Sequence, residues 1–341
     1  VRIKGHIHLK STLIRWLGLC VGVYVTQALA AADINLRPAV EAKLKGDITS
    51  AMVLTDANLI TLGIVDFNPN TIVDLSEIGD VGSEESLERR SQLTSYTLPW
   101  ESEPVILSPH TTGSIQVRLS YVHASDSIQG LEDETISSPL EDTSYLLAGE
   151  YRWKYQINQQ WRAMFGLGAQ LLWLENTLTY KDPFLSSIRG QLDEKLVNTR
   201  YGAIMLDPNV EVSYTGDLLG NKWEFISTLR YGIGRSVLTD DGMQAVTPQV
   251  GRLSNALVFH YGLPDFFERQ NEMRLLAKRI DLSGDVIDSM GTRHYYEFGA
   301  GWVVQTPSLS SWLRNIGIGI TLNINSGLSG GGIVLLFNEE M

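Results

Sequence analysis

The sequence predicts an all-β fold, a closed antiparallel transmembrane β-barrel of twelve strands, with ten as the alternative. Three observations predict it. Apolar and polar residues alternate with period two over long runs, aromatic residues stand near the ends of those runs, and short connections alternate with long ones.

The elements follow in chain order. Residues 1–30 read as a secretory signal peptide. Arg2, Lys4, Lys10 and Arg15 form a basic start, Trp16 to Val25 is an uncharged apolar run, and Ala28 and Ala30 frame a small-residue cleavage site. A membrane-spanning helix needs roughly 20 apolar residues, and Thr26 and Gln27 interrupt this run first. Cys20, the single cysteine, follows Leu19 where a lipoprotein signal carries a small residue, so lipidation is not expected. Cleavage would leave no cysteine to form a disulfide and take the net charge from −12 to −16. A chain that acidic is a poor partner for nucleic acid.

Residues 31–58 precede the barrel, which is expected over 59–341. Pro38 to Lys45 can start a short helix, and such a segment can lie in a polar lumen as a plug. Two upstream strands, Leu59 to Phe67 and Ser95 to Leu107, would flank an acidic loop holding Asp74, Glu77, Asp80, Glu84, Glu85 and Glu88. Pro99 and Pro104 weaken the second strand.

From Ser114 to Phe337 the alternation supports ten strands. Leu147, Tyr151, Trp153 and Tyr155 share one face, with Glu150, Arg152 and Lys154 on the other. Trp161, Phe165, Leu167, Leu171 and Trp173 oppose Arg162 and Gln170. Trp223, Phe225, Leu229 and Tyr231 oppose Glu224 and Arg230; Phe298 and Trp302 oppose Glu297; Ile316, Ile318 and Ile320 oppose Thr321 and Asn323. Soluble strands average about 5–6 residues, and these runs have the length to cross a bilayer at a tilt. Asp207-Pro208-Asn209 reads as a bulge, with the outward phase moving from Met205 to Val210. In 271–282, Arg274, Lys278 and Arg279 leave neither face apolar. Long connections at about 124–144, 175–196, 235–250, 283–292 and 326–330 alternate with short ones, as in a barrel with long extracellular loops and short periplasmic turns.

Arg118, Glu150, Arg152, Lys154, Arg162, Glu211, Glu224, Arg230 and Glu297 are expected to face the lumen. They read as a channel lining or, by preference, as a salt-bridged network gripping the plug, because unpaired buried charge is costly. Gly166, Gly168, Gly232, Gly234, Gly299, Gly301, Gly317 and Gly319 share that face. They either leave room for a second backbone or relieve strand coiling. Ile333, Leu335 and Phe337 supply the alternation of the last strand, and Asn338-Glu339-Glu340-Met341 follow.

Catalytic chemistry has few candidates. His123, His294, Asp126 and Asp240-Asp241 fall on the expected extracellular rim, where a His–Asp base would need groups within about 3 Å. The acid runs Glu132-Asp133-Glu134 and Glu141-Asp142 read as solvated loop rather than a calcium site. No metal-ligand spacing, nucleotide loop or nucleophile elbow is present, so no cofactor or metal is expected.

With signal peptide, loop rhythm and strand count in place, residues 33–341 resemble the translocator barrel of bacterial autotransporters, and more closely the solitary barrels without a passenger. The resemblance implies outer-membrane localisation, contact with outer-membrane lipid and lipopolysaccharide, insertion by the barrel-assembly machinery, and a pore-lodged helix for which residues 36–57 are the candidate. A monomer is expected. A structural or translocator-like role follows, with a small-solute pore or a surface hydrolase as alternatives.

Overall fold

The computed structural model describes residues 36–56, 65–67, 69, 88, 90–130, 135–266, 269–310 and 313–337. The signal peptide, most of the Leu59–Phe67 strand, the acids Asp74 to Glu85 of the loop after it, Glu132-Asp133-Glu134 and the last four residues lie outside them.

Helix α1 (Arg37–Leu54) comes first, with Pro38 in its first turn, where the missing N–H is harmless. One antiparallel sheet follows: β1 (Val65–Phe67), β2 (Leu93–Glu101), β3 (Val105–Ser108), β4 (Thr111–Gln129), β5 (Ser137–Gln156), β6 (Trp161–Leu178), β7 (Arg200–Leu218), β8 (Asn221–Val237), β9 (Gln249–Phe266), β10 (Arg269–Gly284), β11 (His294–Ser310), β12 (Leu313–Ile324) and β13 (Gly330–Phe337). From β4 to β13 every strand pairs with its chain neighbour; β1 pairs with β13, and β2 and β3 share the far edge along β4. That makes twelve positions from β1 to β2. The upstream strand breaks at 102–104, next to Pro104, whereas Pro99 stays in the edge strand opposite Arg118, where a missing N–H is tolerated.

The sheet is barrel-like, but no β1–β2 pair closes it among the described residues. Its two ends nevertheless approach each other: Arg90, three residues before β2, donates from Nη1 to the Leu328 carbonyl, two residues before β13, at 3.2 Å.

The two faces differ as the alternation predicts. Tyr96, Leu119, Leu147, Phe165, Leu257, Phe298, Trp302, Ile318 and Leu335 stand exposed outside. Inside, α1 packs against Leu146, Leu172, Met205, Val250, Ile280 and Tyr295. The helix is longer than the Pro38–Lys45 start suggested, and from Lys43 onward none of its residues is exposed. A helix covered on all sides has no need of a polar stripe, and Leu44, Ile48, Ala51, Met52 and Val53 are all buried.

Three readings of the sequence are corrected. The first long loop is largely strand: β4 and β5 stay paired out to Gln129 and Ser137, which puts His123, Asp126, Glu141 and Asp142 in the ladder. Asp207-Pro208-Asn209 is no bulge, because β7 keeps one register with β6 through all three residues and resumes the same register with β8 at Asn209. Ile204, Leu206 and Val210 all face out, and Met205 faces in, fully buried. In β10 the charges divide by face: Arg274 and Lys278 point inward to acids, and Arg279 points outward to Asp281 and the Tyr296 ring.

The loop rhythm holds. At one end, 157–160 and 219–220 are short turns. At the other, 179–199 carries two short helices, α2 (Pro183–Ser187) and α3 (Arg189–Leu192), and 285–293 carries α4 (Ile287–Met290).

Candidate functional site: a charged lock at mid-lumen

Helix α1 has a fixed direction inside the sheet. Near its N-terminal end Lys43 faces Asp142 at 3.7 Å, toward the long-loop end of β5. Further along, Tyr201 donates to Asp47 at 3.1 Å, and Ser50 donates to Ser289 of α4 at 2.6 Å. At the other end Ser95 and Thr97 of β2 donate to the carbonyls of Leu54 and Thr55, at 3.3 and 3.4 Å, and so serve two carbonyls at the helix exit. The helix therefore starts at the long-loop end and finishes at mid-lumen.

Asp56 sits there, wholly buried. Arg118 of β4 approaches its Oδ1 at 3.2 Å, and Arg252 of β9 and Arg230 of β8 approach its Oδ2 at 3.5 and 3.7 Å. Two wall carboxylates complete the group. Glu150 takes Arg230 at 2.5 Å and Arg152 at 2.7 Å. Asp207 takes Arg230 at 2.9 Å, is bonded by Arg252, and accepts from Gln170 at 2.8 Å. Arg118, Arg230 and Arg252 thus meet three carboxylates, with Arg152 bracing Glu150 from the side. Taking ions from water is costly and is offset only by close, multiply bonded pairing; here it stitches five strands, β4, β5, β7, β8 and β9, and the helix exit together.

Toward the short-turn end the lumen opens into a polar cavity of about 130 Å³, lined in part by Glu101, Arg152, Lys154, Arg162, Glu211 and Arg230. Lys154 reaches Glu101 at 3.0 Å, Arg162 donates to Ser213 at 3.3 Å, and Glu211 accepts from Thr228 at 3.1 Å. Glu224 pairs with Lys222 at 2.8 Å and faces His260, which also meets Glu272 at 3.1 Å. Glu297 takes Lys278 at 2.9 Å. The structure therefore places Arg118, Glu150 and Arg230 in the lock, Arg152, Lys154, Arg162 and Glu211 at the cavity, and Glu224 and Glu297 in separate inward pairs.

Sequence reasoning missed Asp56, Asp207 and Arg252. Asp207 was hidden by the bulge reading, and Arg252 could have been found from its inward parity with Ser254 and Ala256. Asp56 carries no local signal. Of the eight lumen glycines, Gly232 takes the helix: an added Cβ would lie 2.7 Å from Met52 Cε. The nearest atoms to the other seven belong to the wall strands rather than to the helix, in six cases to the adjacent strand and at Gly301 to Leu336 of β13, which agrees with the coiling explanation.

The hydrolase candidates are not assembled into one site. His123 Nδ1 meets Thr143 Oγ1 at 3.1 Å, Asp126 accepts from the Ser127 amide, Asp241 caps a short turn, and the His294 ring lies edge-on to Tyr296. His123 and His294 stand on strands that are not neighbours. Among the described residues, no three His, Cys, Asp or Glu side chains are placed to hold a metal ion.

A family model described as the solitary outer membrane autotransporter β-barrel domain matches residues 45–339. No curated protein matches the chain. Among solved structures it is similar to LpxR from Salmonella typhimurium, with a TM-score of 0.41 and 10% identity, over 78% of this chain and 91% of that one.

Proposed function

The chain belongs to the family of solitary outer membrane autotransporter β-barrel domains, and on that premise we propose that it is a closed barrel of twelve strands that crosses the outer membrane and holds its own N-terminal segment in the lumen. Its role is translocator-like: the segment upstream of α1 is displayed at the long-loop surface. The observation that carries this reading is the direction of α1, with Lys43 near the long-loop end and Asp56 at mid-lumen.

Further observations support the barrel. Exposed apolar side chains stand on every strand from β2 to β13; an apolar surface that extensive is tolerated against lipid rather than water. Two open sheet edges would invite aggregation, and the Arg90–Leu328 contact draws those edges together. No described helix is long and apolar enough to cross a membrane. In this reading residues 1–30 direct export, 31–58 form the N-terminal segment of which α1 occupies the lumen, and the outer belt meets outer-membrane lipid and lipopolysaccharide after insertion by the assembly machinery.

The test is an epitope inserted between Ile34 and Asn35, probed on intact cells. Labelling without permeabilisation is expected. Labelling only after the outer membrane is opened would overturn the display role.

A further inference from the structure

The lock also has the chemistry of a receptor. Its guanidiniums, Arg118, Arg230 and Arg252, come from β4, β8 and β9, so the wall positions them, and the carboxylate they surround belongs to the segment passing through. Without the Asp56 side chain, those three cations would face the two wall acids Glu150 and Asp207. Arg252 Nε is buried and makes no hydrogen bond, which leaves a donor available at the site. Arg230 lines both the polar cavity on the short-turn side and a small void beside Gln170 and Asp207 of about 10 Å³. An anion entering that cavity therefore meets an arginine of the lock. A planar carboxylate matches the guanidinium fork with two oxygens, which a spherical halide cannot do.

We propose that Arg118, Arg230 and Arg252 form a carboxylate-binding site, filled by Asp56 from within the chain and filled by a small free carboxylate when that side chain is removed. The site does not depend on display of the N-terminal segment. The test uses the full chain carrying Asp56→Ala, purified in detergent, with its unfolding temperature read in sodium formate and in sodium chloride at equal ionic strength. Formate is expected to raise the Tm of the variant, by on the order of 3 °C for each tenfold increase above saturation, as linkage requires. Chloride is expected to leave the variant unchanged, and formate to leave the unsubstituted protein unchanged. Adding Arg252→Gln to the variant should remove most of the gain.

An equal response to the two salts, or a formate gain that survives Arg252→Gln, overturns the proposal. If the Asp56→Ala protein does not assemble in chloride, refolding yield becomes the readout. Assembly restored by formate supports the site, and assembly failing in both salts overturns it.

Discussion

Asp207 Oδ2 lies 2.9 Å from Arg230 Nη2 across the β7–β8 ladder, although Arg230 is the register partner of Asn209 rather than of Asp207. The diagonal reach frees the other Asp207 oxygen for Arg252 on β9, while Gln170 on β6 donates from the opposite side.

Removing that carboxylate should therefore be costly. Asp207→Asn keeps the shape but leaves Arg230 and Arg252 short of charge, and breaking a buried pair in this way costs about 3–5 kcal/mol. Glu175→Gln is the comparison: its partner Arg200 is well exposed and 4.0 Å away, so the change should be within about 0.5 kcal/mol. Urea unfolding, followed by loss of the compact unheated gel band, measures both. Equal effects would show that the lock does not stabilise the fold.

The helix fills the upper lumen, so deleting residues 33–58 should turn a poorly conducting protein into a steadily conducting one in planar bilayers. The small-solute pore reading requires the intact chain to conduct as well. Unchanged conductance after deletion would show that the helix does not block the path.

Gly232 is the lumen glycine whose missing side chain leaves room for α1. A Cβ there would lie 2.7 Å from Met52 Cε and 2.9 Å from Val250 Cγ1, whereas a Cβ on Gly149 meets nothing within 4 Å. Gly232→Val should destabilise by about 1–3 kcal/mol through overpacking and expose α1 to protease, and Gly149→Ala should do neither. Protease resistance of α1 in the Gly232 variant would mean that the helix shifts without cost.

The 179–199 loop carries a pH dependence of its own. Burial pushes the Asp193 carboxyl up, but hydrogen bonds from Arg189, Asn198 and Tyr180 outweigh it and hold the group below its ordinary value. A depressed carboxylate contributes stability that is fully present above its unfolded value and is lost as pH falls through the folded one. The hydrogen-exchange protection of this loop, taken relative to the intrinsic rate at each pH, should thus be flat near neutrality and fall once pH drops below the ordinary aspartate range. Asp193→Asn should abolish that dependence. A loop that loosens identically with and without Asp193 would assign the effect elsewhere.

The sheet was legible because its code is simple. The inner face packs on the helix and on charged partners while the outer face stands exposed, so Phe165 and Arg162, or Trp302 and Glu297, fall on opposite faces by parity alone. The lock was only half legible. Arg118, Glu150 and Arg230 sit on clean alternating strands, whereas Asp207 stands beside a proline that locally imitates a break. Asp56 reaches the wall through contacts made with Arg118, Arg230 and Arg252, all far along the chain, and no periodicity encodes such pairing. The extended β4–β5 hairpin was misjudged because Asp126, Glu141 and Asp142 have loop-like composition; continued pairing above the apolar belt leaves strand residues in a polar setting.

The pairing of Val65 with Ile333 sets a timetable. The pairs from β4 to β13 join chain neighbours and can form as hairpins while the polypeptide is still incomplete. β1 has to wait for the C-terminal strand, so α1, which precedes β1, stays tethered to an unpaired end until nearly the whole chain has emerged. Seating the helix and recruiting β1 are therefore late, linked events. A chain cut short before Gly330 would lose the strand that receives β1, even with every lumen charge in place.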